Sequence, residues 1–262
     1  MVAGLTGLDE PVRVLTRDGK RAEPLGPLVD VVVSDVRDRT SLARAVIGVH
    51  TVVSAVHGFA GPGRGTPRSV DRDGNAHLVA AAETVGADVI LVSVIGASTG
   101  HPLELFRMKA AAEINLEAGR VAWTIVRAGP FLELYLELLR QTGAKTGRPL
   151  VFGAGDNPIN FVPVGDVAVA VIAAALDPKQ RGKTVEVKGR QNRTLNELAA
   201  QIQRELGTTG KPPRHIPTAV LRALAATRHL SHAAGPRQAQ AALIMDTTVM
   251  TDAIAPETAG TG

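Results

Sequence analysis

The segment Val29–Val56, VDVVVSDVRDRTSLARAVIGVHTVVSAV, decides the fold. It opens on a continuous apolar run at Val29–Val33, interrupted only by Asp30, and breaks at Ser34-Asp35. Helical spacing follows over Ser41–Val46, and then a second run over His50–Val56. Strands that are apolar at consecutive positions are buried on both faces, which happens where helices cross over between parallel strands. The rhythm extends in both directions, with a strand at Val12–Thr16, a helix at Val70–Val85 and a strand at Asp88–Val94. A helix at Leu103–Ala118 and a strand at Ala122–Val126 complete it. The expected class is α/β, with a doubly wound parallel sheet.

Beyond Arg127 the rhythm changes. A helix is expected over Phe131–Thr142, then two short strands about a Gly-Asp-Asn turn in RPLVFGAGDNPINFVPV, then a helix over Asp166–Leu176 and a strand in KTVEVKG. Thr194 with Glu197 three residues later is a capping box, and Gly207 is a stop. A last helix is expected near Thr218–Arg228. This divides the chain into a Rossmann-like domain, residues 1–130, and a smaller substrate-side subdomain, residues 131–262.

Composition narrows the function. The 262 residues are 45% hydrophobic and 21% charged, with a net charge of +4, no cysteine and 3% aromatics. Without cysteine there are no disulfides, thiolate metal sites or cysteine nucleophiles. The 29 basic residues form no dense tract and few aromatics interleave them, which argues against nucleic acid. The longest apolar run, Val167–Leu176, is about half of a membrane span, and the start MVAGLTGLDEPVRV lacks a signal-peptide pattern. A cytoplasmic protein with a small-molecule substrate is expected, and no metal-ligand cluster or Ser-His-Asp pattern is visible.

Strand ends of such a sheet carry its ligands. After Val12–Thr16 come Arg17, Lys20 and Arg21, three cations suited to the 2′-phosphate of NADP; the bland alternative is a solvated basic turn. Asp35 and Val36 follow the next strand, where an acid can take an adenine amino group and an apolar side chain can pack on the ring; Asp35 could equally cap the next helix. Ser54, Ala55 and Val56 are small enough for close approach of backbone to a nicotinamide ribose, and the Gly129-Pro130 turn exposes backbone beside a nicotinamide. Ser93 ends a strand, with Lys109 sixteen residues on, in a helix. His57 and His101 follow strand ends and titrate in the right range for a proton donor, or are solvated loop histidines. The Gly/Pro-rich stretch His57–His77 reads as a loop at the cleft mouth whose Arg64 and Arg68 could reach a phosphate.

The segments VRVLTRD, VVVSDVRDRTSLARAVIGVHTVVSAV, NAHLVAAAETVGADVILVSVIGA, FRMKAAAE, WTIVRAGPF and INFVPVGDVA, in this order, resemble the NmrA-like, or atypical, short-chain dehydrogenase/reductases. The resemblance implies NADP, with NAD as the alternative, bound by Arg17, Asp35, Val36, Ser54, Ala55, Val56 and Lys109. It implies an oxidoreductase acting on a small carbonyl or quinone-like substrate. The alternatives are a non-catalytic NADP(H) sensor with a regulatory protein partner and, more weakly, a sugar-nucleotide epimerase. Catalytic candidates are Lys109, Ser93 and His57.

Two departures stand out. Four residues before Lys109, where short-chain dehydrogenases carry a tyrosine, stands Leu105, with Phe106 next; the only tyrosine is Tyr135. Lys109 is then either a cofactor ligand or a surface lysine paired with Glu113. Second, Gly4 and Gly7 form only a G-x-x-G, with no strand before them, so the first strand and the pyrophosphate loop are missing from the pattern. The segment before Val12 matches the end of a first helix, and an upstream extension of roughly 20 residues is expected.

Overall fold

The computed structural model describes residues 1–59, 65–227, 234–248 and 250–251. Two compact units emerge, one comprising Met1–Ala128 and Gly165–Val187, the other Gly129–Val164 and Lys188–Gly262.

The first unit begins with α1 (Val2–Thr6), β1 (Val12–Thr16), β2 (Val29–Val33), α2 (Arg39–Ala45) and β3 (Thr51–Ser54). It continues with α3 (Asp73–Val85), β4 (Asp88–Val94), α4 (Glu104–Glu117) and β5 (Trp123–Ala128). β3, β4 and β5 form a parallel sheet in that order. Its middle is dry: Val89, Ile90 and Leu91 of β4 are each 2% exposed, and Ile125 and Val126 of β5 are fully buried. One face is covered by α3 and α4, whose Val79, Ala82, Ala112 and Leu116 pack on Leu91 and Ile125. α3 stops at Gly86, whose φ of +67° is a left-handed conformation that glycine adopts at little cost.

β1 and β2 form a separate parallel pair, in register from Val12 with Val29 to Thr16 with Val33. Among the described residues no strand pairs with the other edge of β1 or with the edge of β3 facing away from β4. The two parts of the sheet are joined through side chains instead. Leu15 of β1 and Val52 of β3 both pack against a cluster of Val36, Leu42, Val46, Val70, Leu78 and Ala81. Coverage is thinner here, with Val31 and Val33 exposed.

α6 (Val164–Leu176) leads into β8 (Lys183–Val187), which pairs in parallel with β5 and extends the first unit's sheet. This corrects the expected division at 130/131: residues 165–187 return to the first unit because the free edge of β5 offers backbone partners for β8. α1 meets α6, where a Cβ on Gly4 would come 2.6 Å from Ile172 Cδ1.

The second unit contains α5 (Leu132–Gly143), β6 (Leu150–Phe152), β7 (Ile159–Asn160) and β9 (Asn192–Arg193). It ends with α7 (Leu195–Glu205), β10 (Arg214–Ile216), α8 (Thr218–Ala226) and α9 (Ala234–Thr247). The two strands flanking the Gly-Asp-Asn turn form, but pair elsewhere: β6 with β10 in parallel and β7 with β9 antiparallel. The Thr194–Glu197 capping box starts α7. Leu139, Val151, Phe161, Leu198, Ile202 and Met245 make its core. Tyr135 belongs to this core, its hydroxyl 2.9 Å from Met245 Sδ, and burial pushes the phenol up to about 12.

No helix among the described residues is long and apolar enough to cross a membrane.

Candidate functional site

The carboxyl ends of β1, β2 and β3 enclose a cleft of about 250 Å³. Thr16 and Arg17 come from the first strand end, Ser34, Asp35 and Val36 from the second, and Ala55, Val56, His57 and Gly58 from the third. Parallel strands all deliver their carboxyl ends to one edge, so residues far apart in sequence converge there. Six of the candidates from the sequence, Arg17, Asp35, Val36, Ala55, Val56 and His57, share this one cleft.

Arg17 is exposed at its rim, and Lys20 and Arg21 are exposed on the 3₁₀ turn Gly19–Leu25 that follows. Asp18 does not claim them, since its carboxylate accepts from Lys20 N and caps that turn. None of the three cationic side chains makes a hydrogen bond or ion pair among the described residues, whereas Arg13 is paired with Asp30 and Arg37 with Asp35. Unpaired cations beside a cleft favour an anionic ligand.

Asp35 is engaged. Arg37 binds it side-on, with Nε 2.9 Å from Oδ1 and Nη2 2.5 Å from Oδ2, and the Arg37 backbone N–H donates to Oδ1 at 2.9 Å. The guanidinium holds the Asp35 carboxyl down at about 2, with a smaller contribution from Arg17. The helix N-cap role weighed for Asp35 falls instead to Asp38, which accepts from Thr40 N and Ser41 N. Val36 borders the cleft but its side chain is mostly turned into the core, 7% exposed. Gly74 presses against it, and a Cβ there would come 2.7 Å from Val36 Cγ2.

The other candidates lie outside this cleft. Ser54 is buried and donates to Asn75 Oδ1 at 2.5 Å. Ser93 is 2% exposed and its Oγ has no hydrogen-bond partner among the described residues. Lys109 is neither at the cleft surface nor paired with Glu113. Its ammonium is buried, donates to Val56 O at 2.9 Å and Val92 O at 3.0 Å, and lies 3.2 Å from Asp71 Oδ1. Glu113 is taken by Arg127 in a two-point pair at 3.0 and 2.6 Å. Asp71 is fully buried and its Oδ2 accepts from Gly58 N at 2.8 Å. Burial pushes Lys109 down and Asp71 up, and each partner opposes the shift of the other. The pair therefore pins the two strand ends and the Gly58 backbone. Gly58 has no room for a side chain, since a Cβ would come 2.2 Å from Thr66 O.

His101 stacks on Phe106 at 4.1 Å ahead of α4, its Nδ1 accepts from Leu103 N, and burial pushes its pKa down. Gly129 and Pro130 open the second unit, where Pro130 O accepts from Val162 N. Arg68 is exposed on the turn Pro67–Arg72, while Gly61, Pro62, Gly63 and Arg64 lie outside the described residues. Sequence reasoning passed over Arg37, Asp71 and Asn75. The spacing Asp35-x-Arg37 was the one available signal, because an Asx turn brings residue i+2 back onto the carboxylate.

Known proteins with similar sequence include the NAD(P)H azoreductase of Xenophilus azovorans, 26% identical over 212 residues, which are 79% of this chain and 68% of that protein. The isoflavone reductase homolog IRL of Zea mays is 25% identical over 231 residues, 80% of this chain and 71% of its own length. Among solved structures, the NADPH-dependent quinone oxidoreductase of Escherichia coli complexed with NADPH superposes with a TM-score of 0.72 and 21% identity, covering 96% of this chain and 86% of that one. It shares the fold. A family model described as NAD(P)H-binding matches residues 2–178, and the chain belongs to that family.

Proposed function

We propose that the protein is an NADPH-dependent oxidoreductase that reduces a small carbonyl or quinone-like compound. The observation that carries this reading is the cluster of unpaired cations, Arg17, Lys20 and Arg21, at the rim of a cleft built from parallel strand ends. The residues fit the cofactor. The cations suit the 2′-phosphate, Asp35 and Val36 suit the adenosine, and the small, exposed Ala55 leaves room at the cleft wall for the ribose. NADPH, when bound, supplies the hydride.

The chain supplies binding and orientation. Lys109 acts as a positioning residue in this reading, holding Val56 and, through Asp71, Gly58 at the cleft wall. His57 is the one histidine among the residues lining the cleft and the candidate proton donor there. Ser93, buried with a free hydroxyl, is a hydrogen-bond donor for a substrate oxygen reaching that depth. An epimerase has no counterpart here for its proton-transferring tyrosine, because Tyr135 packs against the second unit's core with its hydroxyl on Met245 Sδ.

A second reading, an NADP(H) sensor acting on a regulatory protein partner, is favoured by one observation: Lys109 is sequestered from the cleft. NADPH and NADH titrations combined with NADPH consumption against quinones, azo dyes and aldehydes separate the two. Tight NADPH binding with turnover supports the reductase, binding without turnover on any acceptor supports the sensor, and no binding overturns both.

A further inference from the structure

The Asp35 carboxylate is bound by one guanidinium group and feels the charge of a second that lines the same cleft. Arg37 engages both carboxylate oxygens side-on, at 2.9 and 2.5 Å, while Arg17 at the cleft rim is near enough to act on the same carboxylate and has no other partner among the described residues. Arg37 prevails for a geometric reason. It lies two residues on in a turn closed by its own backbone N–H on Asp35 Oδ1, so the planar fork is delivered already aligned and little side-chain freedom is lost. The pair sits at the cleft wall with the Asp35 side chain 26% and that of Arg37 35% exposed, and Arg37 itself does not line the cleft.

Resting on the NADPH reading above, we infer that Arg37 is a specificity-determining residue that acts through Asp35. By occupying the carboxylate it leaves Arg17 free for the 2′-phosphate. If Arg37 is removed, Asp35 captures Arg17, and its uncompensated charge also faces the incoming phosphate. Both effects oppose NADPH and leave NADH nearly untouched, because NADH carries a hydroxyl at that position. Lysine does not replace arginine here, since it presents a single point charge rather than a fork.

Calorimetric titration with NADPH and NADH tests this on the unmodified chain, Arg37→Gln, Arg37→Lys and the double variant Asp35→Asn/Arg37→Gln. Arg37→Gln is expected to weaken NADPH about tenfold and NADH by less than about twofold. Arg37→Lys is expected to fall between it and the unmodified chain. Asp35→Asn/Arg37→Gln is expected to recover the preference for NADPH over NADH lost in Arg37→Gln, because the neutral amide releases Arg17, while any loss at the adenosine falls on both cofactors alike. Equal loss of both cofactors in Arg37→Gln, unchanged NADPH binding, or failure of the double variant to recover each overturns the inference while leaving the cofactor site standing. Absence of binding by the unmodified chain overturns the site reading itself, and this inference with it.

Discussion

Lys109→Met is the substitution with most to say about this fold. It removes an ammonium that donates to Val56 O and Val92 O and neutralises Asp71, in a setting where Lys109 is 4% and Asp71 0% exposed. The methionine fills the space, but two carbonyls lose a donor and a carboxylate is left buried, with Gly58 N its remaining hydrogen-bond donor among the described residues. Breaking one side of a buried pair costs ~3–5 kcal/mol, a large share of the ~5–15 kcal/mol that holds a domain together. Asp71→Asn keeps an acceptor for Gly58 N and is expected to cost ~2–3 kcal/mol, chiefly by stranding the ammonium. The double variant Asp71→Asn/Lys109→Met removes both charges, so its cost is expected to be smaller than the sum of the singles by at least ~1 kcal/mol. Urea unfolding followed by circular dichroism gives all three values. A loss below ~1 kcal/mol in Lys109→Met, with NADPH affinity reduced and the fold intact, would refute the pinning role and return Lys109 to the cofactor. Additive singles would show that the two charges do not interact.

Other outcomes follow from the same geometry. Arg17→Asp should weaken NADPH by ~1–3 kcal/mol while sparing NADH, measured by calorimetry; equal loss of both would remove Arg17 from the 2′-phosphate. The Asp35 carboxyl is held at about 2 against an ordinary 3.8, so its pairing with Arg37 stabilises the fold fully above pH 4 and that stabilisation is lost as the pH falls from about 4 towards 2. Thermal unfolding of Arg37→Gln and the unmodified chain should therefore differ by ~1 kcal/mol at neutral pH and converge over that window; a constant difference contradicts the pairing. Tyr135→Phe should cost less than ~1 kcal/mol and leave turnover unchanged, since its hydroxyl faces only Met245 Sδ. A large loss of turnover would make the buried tyrosine catalytic after all.

Much of the fold was legible because burial on both faces leaves a plain mark. The runs at Val12–Thr16, Val29–Val33 and Asp88–Val94 became β1, β2 and β4 residue for residue. Pairing was less so. An apolar helix and the strand KTVEVKG carry no label saying which sheet edge awaits them, and β8 went back to β5 across the second unit's first segment, Gly129–Val164. β6 and β7 likewise found partners some 30 to 65 residues away, at β9 and β10, rather than each other. At the site, strand ends announce which residues converge, hence Arg17, Asp35 and His57 in one cleft. They do not announce which way a long side chain turns. Lys109 has the reach for either the cleft or the interior, and a buried aspartate within SVDRDGN, where the Gly/Pro-rich stretch meets the expected helix, drew it inward.

The account rests most on hydride delivery from NADPH at this cleft. The direct measurement is the rate of NADPH consumption with a quinone acceptor, in the unmodified chain and in Arg17→Asp under the same conditions. The account predicts turnover that requires both chain and acceptor, with kcat/KM for NADPH falling at least about tenfold in the variant and that for NADH nearly unchanged. Consumption that ignores the substitution, or none with any quinone, azo dye or aldehyde despite tight NADPH binding, would contradict it.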